Sequence, residues 1–258
     1  MIIASNFKTN HTRKSTREFV LQVDSFIKDS NSSDLSHLNK TTTSFDSFSK
    51  KKNTCVQARI YPTATALDNF NCDDSIKVGA QNFYPIYNGS CTGEVGLEQL
   101  EEFGVQSVLI GHSERRHILK ESNELIVKKY DYAKEQGFEI LYCVGEPKEV
   151  REAGLDAVMA YVWGQFDGID LDYEKLVIAY EPVWAIGTGL TASNDDIKEV
   201  LKRLRENIQK PLLYGGSVKV DNVGDILSIE NCDGVLVGTA SWQAEDFCKM
   251  IEAAQNLK

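Results

Sequence analysis

Eight short apolar runs, each separated from the next by a polar or amphipathic stretch, constrain this chain more than any other feature. They lie around Ile2–Ser5, Cys55–Tyr61, Ile76–Ala80, Ser107–Ile110, Glu139–Val144, Leu176–Tyr180, Leu212–Tyr214 and Gly234–Val237. Strand-like runs alternating with helical stretches are the pattern of βα units around a parallel sheet. The stretches between them carry the matching stripe. Phe19, Val20, Val23 and Ile27 come after the first run, and Ile197, Val200, Leu201, Leu204 and Ile208 precede the seventh, at i, i+3, i+4, i+7 spacing. Ser193 or Asp195 can cap that later helix, and Pro211 bars its continuation. Eight strands suit closure into a barrel, and 258 residues fit one (β/α)8 domain over 1–258.

One stretch breaks the pattern. From Asp29 to Thr54, eleven of twenty-six residues are Ser or Thr, the lysine run Lys50-Lys51-Lys52 stands near its end, and Leu35, Leu38, Phe45 and Phe48 are the only apolar anchors. The segment reads as an insertion near 29–54 without a fold of its own, at the end of the barrel opposite to where βα enzymes place their chemistry. The second strand is the weakest of the eight, because Gln57 and Arg59 interrupt its apolar character.

The formal net charge of −10 disfavours nucleic-acid binding and would repel an anionic substrate unless cationic groups gather at the site, Lys8 being the first candidate. No run of about 18 apolar residues exists, so neither a membrane span nor a secretory signal is expected. The six cysteines have no C-x-x-C pair and no histidine at zinc spacing, which predicts reduced thiols in a cytoplasmic protein and no metal site. Cys143, at the end of an apolar strand, reads as a packed, protonated thiol rather than a nucleophile.

The decapeptide Tyr180-Glu181-Pro182-Val183-Trp184-Ala185-Ile186-Gly187-Thr188-Gly189 carries the strongest chemical signal. Glu181 stands where an apolar strand stops. Pro182 stiffens the exit, while Gly187 and Gly189 leave the far end permissive. A stiff entry, an apolar middle with a large indole and a loose exit suit a lid that closes over a small substrate and expels water. By itself a strand-end glutamate is as readily a solvated or ion-paired side chain; the lid beside it favours a base.

This segment resembles the sixth strand and lid of the triosephosphate isomerase family. So do, in the same order along nearly the whole chain, Ile3-Ala4-Ser5-Asn6-Phe7-Lys8, Gly79-Ala80-Gln81-Asn82 with Cys91-Thr92-Gly93-Glu94, Val108-Leu109-Ile110-Gly111-His112-Ser113-Glu114-Arg115-Arg116, Tyr142-Cys143-Val144-Gly145-Glu146, Leu213-Tyr214-Gly215-Gly216-Ser217-Val218 and Gly234-Val235-Leu236-Val237-Gly238. The resemblance implies a single (β/α)8 TIM barrel that interconverts dihydroxyacetone phosphate and glyceraldehyde 3-phosphate through an enediolate, with no cofactor and no metal. A noncatalytic barrel that retains a phosphosugar pocket is the alternative. An aldolase-type barrel is disfavoured because that chemistry wants a Schiff-base lysine on a strand, where strand six offers Glu181.

Under that resemblance Glu181 is the general base, moving a proton between adjacent carbons. His112 acts as a neutral imidazole toward the substrate oxygens, its charge suppressed by the start of the short helix after it. Lys8 and Asn6 bind the anionic substrate, and Glu114 pairs with Lys8 to orient it. Phosphate is held by the backbone of Ser217, Gly238 and Thr239, with Gly187 adding a donor from the lid. Thr239 departs from the family, which usually has a second glycine there, and would be strained if its φ were positive. His11, His37 and His117 lack such context and read as structural. The loop from Asn82 to Glu94, rich in aromatic and apolar residues with Thr92 near its tip, implies a homodimer in which it enters a second subunit beside Asn6 and Lys8; Cys91 replaces a bulkier aromatic there.

Overall fold

A computed structural model describes residues 1–38, 56–186 and 192–257. Its strands are β1 (Ile2–Asn6), β2 (Gln57–Tyr61), β3 (Ile76–Val78), β4 (Ser107–Ile110), β5 (Glu139–Val144), β6 (Leu176–Tyr180), β7 (Leu212–Tyr214) and β8 (Gly234–Val237). The helices are α1 (Arg13–Leu38), α2 (Leu97–Glu102), α3 (Ser113–His117), α4 (Asn123–Glu135), α5 (Lys148–Glu152), α6 (Leu155–Gly164), α7 (Asn194–Arg205), α8 (Val223–Leu227) and α9 (Ala244–Gln255). All eight expected strands are present.

The strands pair in parallel in the order β3-β2-β1-β8-β7-β6-β5-β4. A single bridge, Ala80 to Val108, joins the two ends into a TIM barrel. There the Ala80 N–H donates to the Ser107 carbonyl (2.9 Å) and the Leu109 N–H to the Ala80 carbonyl (2.8 Å). Strand β3 is therefore shorter than expected. Residue 79, just past its end, must be glycine, because a Cβ there would lie 2.4 Å from the Tyr61 ring.

Burial divides the core in two. Ile2, Ala4, Leu109, Leu141, Val177 and Leu236 belong to the set that fills the barrel, whereas Ile3, Val108, Ile140 and Ile178 pack outward with the helices. Alternating side chains on strands covered on both faces require this division. The same alternation accounts for β2. Ala58 and Ile60 face the helical layer, and Arg59 is buried on the other side, donating from Nε to Glu139 Oε1 (2.7 Å) and from Nη2 to Glu139 Oε2 (3.1 Å). Burial pushes the Glu139 carboxyl up, but Arg59 and Lys77 outweigh it and hold the group ionised below its ordinary range.

Phe19, Val20, Val23 and Ile27 of α1 are buried, as are Ile197, Val200, Leu201 and Leu204 of α7. Full burial of such a side chain contributes about 1.5–3 kcal/mol. Of the two caps considered for α7, Ser193 is the one used. Its Oγ accepts the Asp196 N–H (3.1 Å) while Asp196 Oδ2 accepts the Ser193 N–H (3.1 Å). Helix α1 corrects the expectation for the Ser/Thr-rich segment, since it continues through Leu38. No proline or glycine interrupts 29–38, and nothing there stops a helix already nucleated. The rest of that segment lies outside the described residues. No helix among the described residues is long and apolar enough to cross a membrane.

Candidate active site

The carboxyl ends of five strands bring the expected residues to one mouth of the barrel. Asn6 ends β1 and Lys8 lies two residues on; His112 comes after β4, Glu181 after β6, Ser217 after β7 and Gly238 after β8. In a βα barrel this is the end at which loop residues from different strands converge. Gly187 lies outside the described residues.

Glu181 is nearly fully buried, at 2% exposure. Its backbone N–H extends the β5–β6 ladder by donating to the Val144 carbonyl (2.7 Å). Its carboxylate Oε2 accepts the Ser113 N–H (3.3 Å), and Oε1 lies 3.3 Å from His112 Nε2. Glycines on both neighbouring strand ends make room for it. A Cβ at Gly145 would come within 1.8 Å of the Glu181 carbonyl oxygen, and one at Gly215 within 2.7 Å of Glu181 Cγ. The buried Cys143 thiol sits near the same carboxylate; burial first, then Glu181, push that thiol well above its ordinary range, so it stays protonated. The expectation of an unreactive Cys143 therefore holds, but its nearness to Glu181 was not legible in the sequence. Alanine at Gly145 is expected to destabilise the protein by about 1–3 kcal/mol through overpacking and to displace the carboxylate. A thermal melt and activity both equal to the parent protein would contradict this account of the crowding.

His112 is the N-cap of α3, and its Nδ1 accepts the Glu114 N–H at 3.2 Å. A ring nitrogen that accepts a hydrogen bond carries no proton, so the imidazole is neutral with its proton on Nε2, the atom facing Glu181. The positive end of the helix keeps company with an uncharged acceptor in preference to a cation.

Lys8 holds a left-handed backbone, φ 53°. Its N–H donates to Asn6 Oδ1 (2.9 Å), its carbonyl accepts from Gln81 Nε2 (2.9 Å), and its ammonium donates to Glu114 Oε1 (2.6 Å). The pairing of Lys8 with Glu114 is as expected. Glu114 Oε2 in turn lies 3.7 Å from His112 Nδ1, so cation, carboxylate, imidazole and buried carboxylate succeed one another around the mouth.

Loops after β7 and β8 complete the ring. The Ser217 hydroxyl donates to the Ala185 carbonyl, in the 3₁₀ turn Val183–Ala185 that follows β6, at 2.5 Å. Gly238 precedes the 3₁₀ turn Thr239–Ser241, and a Cβ on it would stand 3.3 Å from Lys8 Cε. Thr239 is exposed and is not among the residues with positive φ, so the strain expected of a non-glycine residue there does not arise. In the turn Val183–Ala185, Trp184 Nε1 donates to Glu146 Oε1 (2.9 Å), as does the Tyr180 hydroxyl (3.1 Å). Burial raises the pKa of Glu146 against those two donors. Sequence reasoning passed over this anchor although Glu146 ends the motif Tyr142–Glu146, because only the fold brings strand ends β5 and β6 together.

The loop after β3 behaves less simply than its composition suggested. Phe83 is fully buried in the barrel's own core, and the carbonyls of Ile86 and Tyr87 accept the N–H groups of Leu97 and Glu98 at the start of α2. Only the distal part, Tyr87 to Ser90 and Thr92 to Glu94, is exposed. Ile118 and Leu119, on the loop after the adjoining β4, are exposed too, at 71% and 60%. Among the described residues no group of three or more His, Cys, Asp or Glu is arranged to hold a metal ion.

Comparison with known proteins places the whole chain beside one family. A family model described as triosephosphate isomerase matches residues 30–254. The chain is 46% identical to the triosephosphate isomerase of Sulfurimonas denitrificans over 257 residues, covering 100% of this chain and 97% of that one. It is 46% identical to that of Nitratiruptor sp. over 258 residues, covering 100% of both. With that of Campylobacter concisus it shares 52% over 178 residues, 69% of this chain and 78% of the other.

Proposed function

The chain belongs to the triosephosphate isomerase family and is an isomerase that interconverts dihydroxyacetone phosphate and glyceraldehyde 3-phosphate in glycolysis, and we propose that Glu181, His112 and Lys8 carry the reaction. Glu181 takes the proton from the carbon beside the carbonyl and returns it to the neighbouring carbon. His112 donates from Nε2 to the substrate oxygens and shuttles a proton between them as charge develops on the enediolate. Lys8 stabilises that charge and the phosphate, oriented by Glu114, and Asn6 fixes a substrate oxygen. Backbone N–H groups of Ser217, Gly238 and Thr239 hold the phosphate, with Gly187 joining from the closed lid.

The observation that carries this proposal is the facing pair, a buried carboxylate 3.3 Å from the Nε2 of a neutral imidazole. An acid and a base from different strands serve no purpose in a barrel that only binds. The direct experiment tracks the hydrogen. In deuterium oxide the purified protein is expected to convert dihydroxyacetone phosphate to product carrying solvent-derived deuterium at the carbon next to the carbonyl. Turnover without any exchange at that carbon would point to direct hydride movement and sink the proton-transfer mechanism.

The working unit we propose is a homodimer in which the exposed tip around Thr92 enters a second subunit beside Asn6 and Lys8, with Tyr87, Ile118 and Leu119 giving the contact its apolar share. Sedimentation at micromolar concentration is expected to show a species of twice the chain mass; one near 28.9 kDa would contradict this. The compartment we propose is the cytoplasm, where thiols such as Cys143 and Cys232 stay reduced.

A further inference from the structure

Two residues of the loop leaving β1 occupy left-handed backbone without being glycine: Lys8 at φ 53° and His11 at φ 67°. Such conformations persist only where surrounding contacts over-determine them. For His11 those contacts are visible. Its ring stacks on Phe7, with centroids 4.2 Å apart and planes 30° from parallel, and meets Phe19 edge-on at 6.0 Å. Phe19 in turn touches Phe247 of α9 at 5.6 Å.

Trp242 holds the same loop. Its indole Nε1 donates to the Asn6 carbonyl at 3.1 Å, and its own backbone carbonyl faces the His11 ring closely enough to raise that ring's pKa against burial. Trp242 also closes the 3₁₀ turn after β8, its N–H donating to the Thr239 carbonyl at 3.3 Å. One residue thus ties the segment carrying Asn6 and Lys8 to the segment carrying Gly238 and Thr239. Those two segments meet closely, since a Cβ on Gly238 would lie 3.3 Å from Lys8 Cε.

We infer that His11 and Trp242 are positioning residues, forming a clasp that fixes the Lys8 ammonium and the Gly238–Thr239 backbone at the separation one phosphate group requires. The inference rests on the substrate-binding roles proposed above for Lys8, Gly238 and Thr239. Loss of the clasp leaves every binding group present but lets the two halves of the cradle drift apart. Placement matters here because a charged hydrogen bond weakens steeply with distance and angle. Burial lowers the pKa of the His11 ring, partly opposed by the Trp242 carbonyl, which favours the uncharged ring that stacks on Phe7.

The test uses His11→Asn, which tolerates left-handed backbone but loses the stacked ring, and Trp242→Phe, which keeps an aromatic ring and loses the N–H donor. Each is expected to raise KM for glyceraldehyde 3-phosphate and the inhibition constant of inorganic phosphate together, by about 2- to 10-fold, the range one lost hydrogen bond converts to, with a smaller change in kcat. The double variant should be little worse than the poorer single one, because both break the same clasp. A lowered melting temperature with KM and phosphate inhibition unchanged would make the pair merely structural and overturn the inference. Lys8→Met separates the two levels. If it weakens phosphate inhibition while His11→Asn and Trp242→Phe do not, the clasp alone fails; if it has no effect on phosphate, the assignment of the binding site fails first.

Discussion

Glu181→Gln is expected to lower kcat by about 10²–10⁴-fold, the contribution of a positioned acid or base, equivalent to about 3–5 kcal/mol of barrier at 1.36 kcal/mol per tenfold. The substitution preserves size and leaves an amide oxygen to accept the Ser113 N–H now received by Oε2. It removes the one property the mechanism uses, the capacity to take a proton. Inhibition by inorganic phosphate should change little, because the phosphate cradle proposed above draws on the loops after β7, β8 and β1 and not on Glu181. The measurement is a coupled assay of both proteins with glyceraldehyde 3-phosphate, alongside a thermal melt to establish that the variant is folded. Equal turnover would remove Glu181 from the mechanism.

The second large effect is expected of Lys8→Met. Methionine fills a similar volume without charge, so the change isolates the ammonium. Removing the ammonium that a bound, water-shielded anion pairs with costs about 2–5 kcal/mol, which corresponds to about 30- to several-thousand-fold in kcat/KM. Two features place Lys8 toward the upper part of that range. The chain carries a net charge of −10, so an anionic substrate depends on local positive charge to approach. Glu114, whose Oε1 is 2.6 Å from the ammonium, would be left as an uncompensated carboxylate beside the phosphate site. Glu114→Gln in the Lys8→Met background should then recover part of the lost affinity. Failure to recover any, with kcat/KM still depressed, would show that Lys8 acts only through direct contact with substrate. Kinetics of Lys8→Met indistinguishable from the parent protein would exclude it from the site altogether.

The fold was legible because its signal is periodic and local. Ile2–Asn6, Glu139–Val144 and Leu176–Tyr180 are short apolar runs buried along nearly their whole length, and parallel strands covered on both faces look like that in any context. The seventh helix was equally readable from Ile197, Val200, Leu201 and Leu204. Boundaries were less so. Helix α1 runs on to Leu38 because serine and asparagine weaken a helix without stopping it, and β3 ends at Val78 with only the Ala80–Val108 bridge beyond it.

At the candidate site, residue types and spacing singled out Glu181 beside its glycine-rich exit, while His112 and Lys8 were picked out by resemblance to a family with the same motifs. The pairing of Lys8 with Glu114 was anticipated on the same ground. The hydrogen bond from the Ser113 amide to Glu181, the nearness of the Cys143 thiol to that carboxylate, the Glu146 anchor of Trp184 and the hold of Trp242 on Asn6 were not. These contacts join residues dozens to hundreds of positions apart, and no local pattern reports which strand ends will become neighbours.

What the sequence determined by itself was the kind and order of the elements and the chemical inventory at their ends, since both depend on properties each short segment carries alone: its apolar period, its glycines and prolines, its titratable groups. Tertiary structure decided which of those groups touch. Closing the barrel sets Nε2 of one loop against a carboxylate of another, turns Arg59 inward to Glu139 and leaves Thr239 free of strain, outcomes governed by distances across the ring that exist only once all eight strands are in register.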